Sequence, residues 1–292
     1  MNSKVPDLER SYQAARAVTR HHAKSFYFSS FTLPALKRRR AYAVYAFCRH
    51  LDDVVDEAEA GEVLAAVRSL KEMTARVFAR QTTARDQEEH PWLAAFLDTA
   101  QECEIPESHF QDLLTGVEMD QGRVRLQTWE ELDRYCYHVA GVVGLMMTRV
   151  FSLEDRSYEQ QALNLGTAMQ LTNILRDVAE DLHKDRIYLP RTELEEYGIT
   201  EEMLRAGEYP ARWTEFMRFQ VARARDYYQA SEPGIRALAA DGSQRTVWLM
   251  RRIYAEILDE IEKVDYQVLG GRVYVSSARK CIIALQTVLG IY

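Results

Sequence analysis

Asp52 and Asp56 stand four residues apart in Arg49-His50-Leu51-Asp52-Asp53-Val54-Val55-Asp56-Glu57. On a helix they share one face, which Tyr45 and Arg49 continue upstream. Asn173, Asp177 and Asp181 follow at successive steps of four in Gln170-Leu171-Thr172-Asn173-Ile174-Leu175-Arg176-Asp177-Val178-Ala179-Glu180-Asp181. Like charges at this spacing repel by about 0.2–0.5 kcal/mol on an exposed helix, so the acids favour a cation between them. Oxygen ligands suit a hard ion, and Mg²⁺ is commonly held by a carboxylate or two together with waters and substrate phosphates. Two facing stripes would gather two or three Mg²⁺ ions around a diphosphate. A solvated helix face is the plainer reading of one Asp-x-x-x-Asp in a chain with 44 acidic residues. It is weaker for two stripes interleaved with Val54, Val55, Leu171, Ile174 and Leu175, the pattern of helices packed on their other faces.

One chemistry that would pair two such stripes is the ionisation of an allylic diphosphate. Cations neutralise the charge that develops on the departing oxygen. The carbocation left behind has to be kept from water in an apolar pocket, where aromatic faces stabilise positive charge. The chain has 16 Tyr and 10 Phe to draw on.

Helices are the elements that must position these groups. Only 13 Gly and 7 Pro interrupt the 292 residues, and apolar residues recur at three- and four-residue intervals over long segments. The spacing predicts helices over about 7–20, 34–58, 62–80, 92–101 and 107–121. Further helices are expected over about 128–151, 158–182, 191–196, 210–239 and 245–268. The breaks at 81–91, 198–210 and Asp241-Gly242 are too short for interdomain linkers, so residues 1–292 are expected to form one all-α domain.

Net charge of −7 opposes a general affinity for nucleic acid. Cys48, Cys103, Cys136 and Cys281 form no CxxC pair, which argues against a zinc site or a disulfide framework and suits a reducing cytoplasm. The amino terminus lacks the apolar run of a signal peptide. The apolar stretches at 139–147 and 281–292 fall short of the ~20 residues that span a bilayer. The basic run Lys37-Arg38-Arg39-Arg40 reads as a solvated helix start that could also attract anionic lipid, giving a peripheral membrane contact.

With these residues in view, the chain resembles the squalene/phytoene synthase family over nearly its full length. His22-Ala23-Lys24-Ser25-Phe26, Leu33-Pro34 and the segment from Tyr42 to Asp56 resemble its amino-terminal signature and first aspartate-rich motif. Tyr135-Cys136-Tyr137-His138-Val139-Ala140-Gly141-Val142-Val143-Gly144 resembles its central motif. Leu165-Gly166 through Asp181, then Arg186-Ile187-Tyr188-Leu189-Pro190, resembles the second aspartate-rich motif and its sequel. The resemblance implies an isoprenoid synthase helical bundle around a central cavity. It makes Asp52, Asp56, Asn173, Asp177 and Asp181 metal ligands, with Asp53 and Glu180 as neighbours. Arg49, Arg176, Lys24, Ser25 and Arg186 become diphosphate contacts, suited to guanidinium and ammonium groups. His22 and Phe26 join the substrate-binding set, and Tyr45, Tyr135, Gln170, Tyr188 and Tyr254 map near the reacting chains. For Tyr254 a packing role is equally open.

One departure from the family pattern is Ala23, where many relatives carry Ser. Ala140, Gly141 and Gly144 leave room either for a prenyl chain or for close helix packing. His138 could serve a diphosphate or a proton, or simply be a hydrogen-bonded helix side chain.

The resemblance further implies head-to-head condensation of two farnesyl or geranylgeranyl diphosphates through a cyclopropylcarbinyl diphosphate. Proton loss then gives phytoene or dehydrosqualene, hydride from NADPH gives squalene, and early release gives the intermediate. No GxGxxG fingerprint supports a nicotinamide site, yet NADPH stays open because reductive members of the family do not use that fold. The rival readings are a single-substrate terpene cyclase, a chain-elongating prenyl synthase, and a non-catalytic assembly factor that retains the fold.

Overall fold

A computed structural model describes residues 8–56, 63–79 and 81–291, with the side chains of 55, 56, 63, 64 and 84 outside the description. The architecture is all-helical, as the sequence periodicity implies. Helix α1 (Leu8–His22) leads through α2 (Lys24–Ser29) into α3 (Ala35–Asp56). Next come α4 (Val63–Phe78), α5 (Ala84–Glu89), α6 (Leu93–Glu102) and α7 (Glu107–Met119). Strand β1 (Val124–Arg125) precedes α8 (Trp129–Cys136), and a π-helical turn over Tyr137–Gly141 joins α8 to α9 (Val142–Val150). Helix α10 (Glu159–Arg176), α11 (Val178–His183), β2 (Arg186–Ile187), α12 (Arg191–Glu196) and α13 (Glu201–Arg205) follow. The chain ends with α14 (Trp213–Arg236), α15 (Ser243–Lys263) and α16 (Ser277–Val288).

Two apolar clusters carry the fold. One packs α1, α3, α6 and α7 around Phe47, whose ring stacks on Phe96 at 4.1 Å while Phe110 meets both edge-on. The other packs α8, α10, α14 and α15 around Trp213, Phe216 and Tyr228. Each fully buried side chain of this size contributes about 1.5–3 kcal/mol. Leu165 touches both clusters, so α10 runs between them. Helix α14 lies along it, with Thr172 hydrogen-bonded to Tyr228 at 2.9 Å.

Several elements depart from the sequence expectation. The polar stretch 81–91 contains α5, started by a capping box in which Thr83 Oγ1 accepts from Asp86 N and Asp86 accepts from Thr83 N. Thr200 likewise caps α13 inside the expected loop at 198–210. Helix α16 arises from a segment noted only as too short to span a membrane. The helix expected over 158–182 breaks at Asp177 (φ −102°, ψ 16°). The expected ends at 7, 57–58, 62 and 80 lie outside the described residues.

Three of the four cations in the basic run at the start of α3 are engaged within the protein. Lys37 pairs with Asp241 at 2.8 Å and donates to the Phe151 carbonyl, Arg39 lies over the Tyr12 ring, and Arg40 pairs with Glu102. Among the described residues no helix is long and apolar enough to cross a membrane.

Strands β1 and β2 pair in parallel, Val124 with Arg186 and Arg125 with Ile187. Arg125 locks this clasp, donating to Glu201 at 2.6 and 2.8 Å and to Asp185 at 2.5 Å. The guanidinium holds the Glu201 carboxyl down at about 2. A depressed carboxylate stabilises the fold above its unfolded value of about 4.3 and loses that contribution as pH falls towards the folded value. Arg125→Met is therefore expected to lower the unfolding midpoint by about 3–6 °C at pH 7. The deficit should shrink across melts taken from pH 5 down to pH 3, and a deficit that stays constant would rule out the ion pairs as its cause.

Candidate active site

A cavity of about 600 Å³ lies along one face of α10 and is walled by α9, α14 and α15. Its interior is apolar, with Val143, Met147, Leu165, Met169, Ile235 and Ile253 among the lining residues. One end is polar. Helix α2 and the residues before it bring His22, Lys24 and Ser25 there, α3 brings Tyr45, and α10 brings Gln170, Asn173 and Arg176. Each stripe thus sends a residue to this cavity, Tyr45 from the first and Asn173 from the second, while Arg49, Asp52, Asp177 and Asp181 are not among its lining residues. Phe26 lines it beside Tyr45, with ring centres 5.9 Å apart.

On α3 Phe47 and Leu51 lie on a fully buried face, leaving Tyr45, Arg49 and Asp52 to the opposite side. Arg49 pairs with Asp53, and its Nε is buried without a hydrogen-bond partner among the described residues. Burial pushes the Tyr45 hydroxyl up to about 12, against the pull of Arg49, so it stays protonated and can donate. Burial, helped by the Arg49 charge, keeps His22 below its usual value. Asp52 is exposed, and the side chain of Asp56 lies outside the described residues.

The second stripe is crowded with charge. Arg176 grips Asp177 through Nε at 2.7 Å and Nη2 at 2.5 Å. Arg272, from the segment after α15, reaches Asp177 at 3.0 Å and Glu180 at 3.3 Å. Asn173 Nδ2 approaches Gln170 Oε1 at 3.5 Å. Asp181 is pushed up to about 7 by burial and then by Asp177, with Arg186 opposing.

Among the described residues no three acid, histidine or cysteine side chains converge closely enough to hold an ion by themselves. A diphosphate-bound ion needs fewer protein ligands than that. Burial first and the Asp177 charge second disfavour the Asp181 carboxylate, and an added cation would favour it. The residues therefore fit divalent metal.

Tyr135 and Tyr188 are not brought to the cavity wall. They stack at 4.7 Å and both donate to Asp120, at 3.1 and 2.6 Å. Burial, then the Asp120 charge, drives both hydroxyls upward. His138 bonds the Asp112 carbonyl through Nδ1 at 3.0 Å and does not line the cavity. Tyr254 does line it, with burial raising its hydroxyl and Arg176 and Arg272 opposing. Sequence reasoning missed Arg272, Lys280 and Asp120. Lys280 lines the polar end, donates to Ser25 Oγ at 3.2 Å, and is lowered by burial and by Arg176. Neither Gly-Gly-Arg nor Arg-Lys carries a spacing signal that would have singled these cations out.

A family model described as squalene/phytoene synthase matches residues 19–279. The 15-cis-phytoene synthase of Synechococcus elongatus is 38% identical over 289 residues, covering 94% of this chain and 92% of that protein. The chain belongs to the squalene/phytoene synthase family. A dehydrosqualene synthase crystal structure superposes with a TM-score of 0.89 at 28% identity, covering 98% of this chain and 99% of that one. Squalene synthase HpnC from Alicyclobacillus acidocaldarius gives 0.80 at 30% identity, covering 89% and 96%. As a member of this family the protein is a prenyltransferase that condenses prenyl diphosphates head to head. The cyclase and assembly-factor readings are not favoured.

Proposed function

We propose that the enzyme condenses two molecules of geranylgeranyl diphosphate to phytoene with the help of Mg²⁺. The observation that carries this reading is α10 itself, whose single cavity face runs from Asn173 and Arg176 at the polar end into a long apolar wall. Relatives at 38% identity named phytoene synthase support the choice of product.

Asp52, Asp56, Asn173, Asp177 and Asp181 are the groups that would hold the metal, which neutralises charge on the leaving diphosphate. Lys24, Ser25, Arg49, Arg176, Arg272 and Lys280 grip the diphosphates with charge-assisted hydrogen bonds. Tyr45 and Tyr254 keep their protons at neutral pH, present ring faces to developing positive charge, and offer hydroxyl donors to diphosphate oxygen. Met147, Leu165 and Ile253 keep water from the cation. As the first diphosphate leaves, C1 of that chain bonds to the C2–C3 alkene of the other and a proton is lost, giving the cyclopropylcarbinyl diphosphate. Loss of the second diphosphate, rearrangement and loss of a second proton give the conjugated triene, with no reductant consumed.

The test is to incubate purified protein with Mg²⁺ and either farnesyl or geranylgeranyl diphosphate, with and without NADPH, and to weigh the lipid products. A forty-carbon triene independent of NADPH is expected. A thirty-carbon product, or one that needs NADPH, would overturn the substrate or the ending assigned here.

Peripheral membrane contact belongs to the same reading, because the product is insoluble in water. Helix α16 exposes Ile282, Leu285 and Val288, continued by its C-cap Leu289, while its Lys280 lines the cavity's polar end. An apolar helix face beside cations suits an anionic lipid surface. Leu285→Glu with Leu289→Glu is expected to reduce co-flotation with phosphatidylglycerol vesicles at least tenfold. Undiminished flotation would exclude α16 as the contact.

A further inference from the structure

The apolar end of the cavity is closed by two chain reversals. The segment after α9 and the turn between α14 and α15 meet in an antiparallel bridge of Leu153 with Leu238. Leu153 N also donates to Thr148 O at 2.9 Å, and Leu238 N to Ile235 O at 3.3 Å, tying this floor to α9 and α14. Phe151, Leu153, Leu238 and Val247 line the cavity there. Amid these apolar side chains sits Gln161, whose Oε1 is buried and accepts no hydrogen bond from the described residues. Behind it stands Gly234, just after Pro233 near the end of α14, and a Cβ at 234 would fall 2.4 Å from Gln161 Cβ. Helix α14 therefore leaves the Gln161 stem no room to retreat.

We propose that Gln161, backed by Gly234, is the stop that sets the prenyl chain length at twenty carbons. The inference rests on the function proposed above. Asn173 and Gln161 are 12 positions apart on α10 (173 − 161), which is about 18 Å at the helical rise of about 1.5 Å per residue. At roughly 1.25 Å of advance per bond, the sixteen main-chain carbons of a geranylgeranyl group span about 19 Å and the twelve of a farnesyl group about 14 Å. The terminal isoprene unit of the longer chain thus meets the Gln161 amide, while the shorter chain ends about a helical turn before it. One further isoprene unit would have to displace a side chain that the α14 backbone holds in place. The orphaned carbonyl oxygen adds to the barrier, since alkyl groups packed on it would bar any water from pairing with it.

The test compares kcat/KM and product mass for farnesyl, geranylgeranyl and geranylfarnesyl diphosphate in the wild type, Gln161→Trp and Gln161→Ala. Filling the stop with tryptophan is expected to shift the ratio of geranylgeranyl to farnesyl turnover at least tenfold towards farnesyl. Trimming it to alanine should raise geranylfarnesyl turnover, relative to geranylgeranyl, by at least tenfold. A single methylene already changes discrimination by about that much in an apolar pocket. Ratios unchanged from the wild type in the alanine variant, with its melting midpoint preserved, overturn the stop whatever the tryptophan variant does. A wild type that makes no head-to-head product from any of the three overturns the underlying function instead.

Discussion

Asp177→Asn is expected to cut kcat by about 10³-fold at saturating Mg²⁺ while the protein melts within a few degrees of the wild type. Asp177 sits where α10 ends and α11 begins, and its carboxylate meets two guanidinium groups, Arg176 at 2.5–2.7 Å and Arg272 at 3.0 Å. An asparagine keeps the shape and one acceptor for Arg176, so the local fold has little reason to change. What it removes is the charge shared among cation, Arg176 and Arg272 when a diphosphate departs. A metal ligand also differs from a structural acid in its response to added ion. The variant should need a higher Mg²⁺ concentration for half-maximal turnover, and chelation with EDTA should silence the wild type reversibly. Near wild-type turnover of Asp177→Asn in millimolar Mg²⁺ would remove Asp177 from the ligand set. It would also revive the reading of this stripe as a solvated helix face.

That prediction was reachable from sequence because its cause is local. Four-residue spacing fixes a common helix face whatever the tertiary structure, and apolar residues at Val54, Leu171, Ile174 and Leu175 marked the faces that pack. The first stripe therefore emerged on α3 as expected, whereas the second is divided, with Asn173 on α10, Asp177 at the break and Asp181 on α11. The remaining half of the polar end depends on groups distant in sequence. Arg272 reaches Asp177 from 95 positions further along the chain (272 − 177), and Lys280 meets Ser25 from 255 positions away. No local period encodes such meetings. Tyr135 and Tyr188 were placed near the reacting chains by motif, but Asp120, on a helix end with no motif of its own, draws both hydroxyls to itself. The short capped helices α5 and α13 were lost to the eye because polar composition outweighed a single Thr cap. The break at Asp177 was hidden by an apolar period that continues unbroken through Val178 and Leu182.

Gly166→Val is expected to destabilise the protein by about 2–4 kcal/mol, lowering its melting midpoint by roughly 5–10 °C. A Cβ at 166 would lie 2.7 Å from Ala140 O and 2.8 Å from both Ala140 C and Gly141 Cα. Those atoms belong to the backbone of the π-helical turn Tyr137–Gly141, which cannot rotate aside as a side-chain tip could. Helix α9 makes the reciprocal contact, since a Cβ at Gly144 would lie 2.8 Å from Ala162 O. Both glycines also line the cavity, so the two readings open at this motif, close packing and room for a prenyl chain, describe the same feature. The approach that lets α9 and α10 touch also sets the width of the channel between them. Helix propensity alone argues the other way, because replacing a mid-helix glycine with alanine favours the helix by about 1 kcal/mol. Gly166→Ala thus decides between the two effects. A lowered midpoint that Ala140→Gly fails to rescue shows that backbone, not the Ala140 side chain, is being struck. A raised midpoint would mean that α10 stands farther from the π-turn than 2.7 Å implies, and the channel would then have to be widened to match.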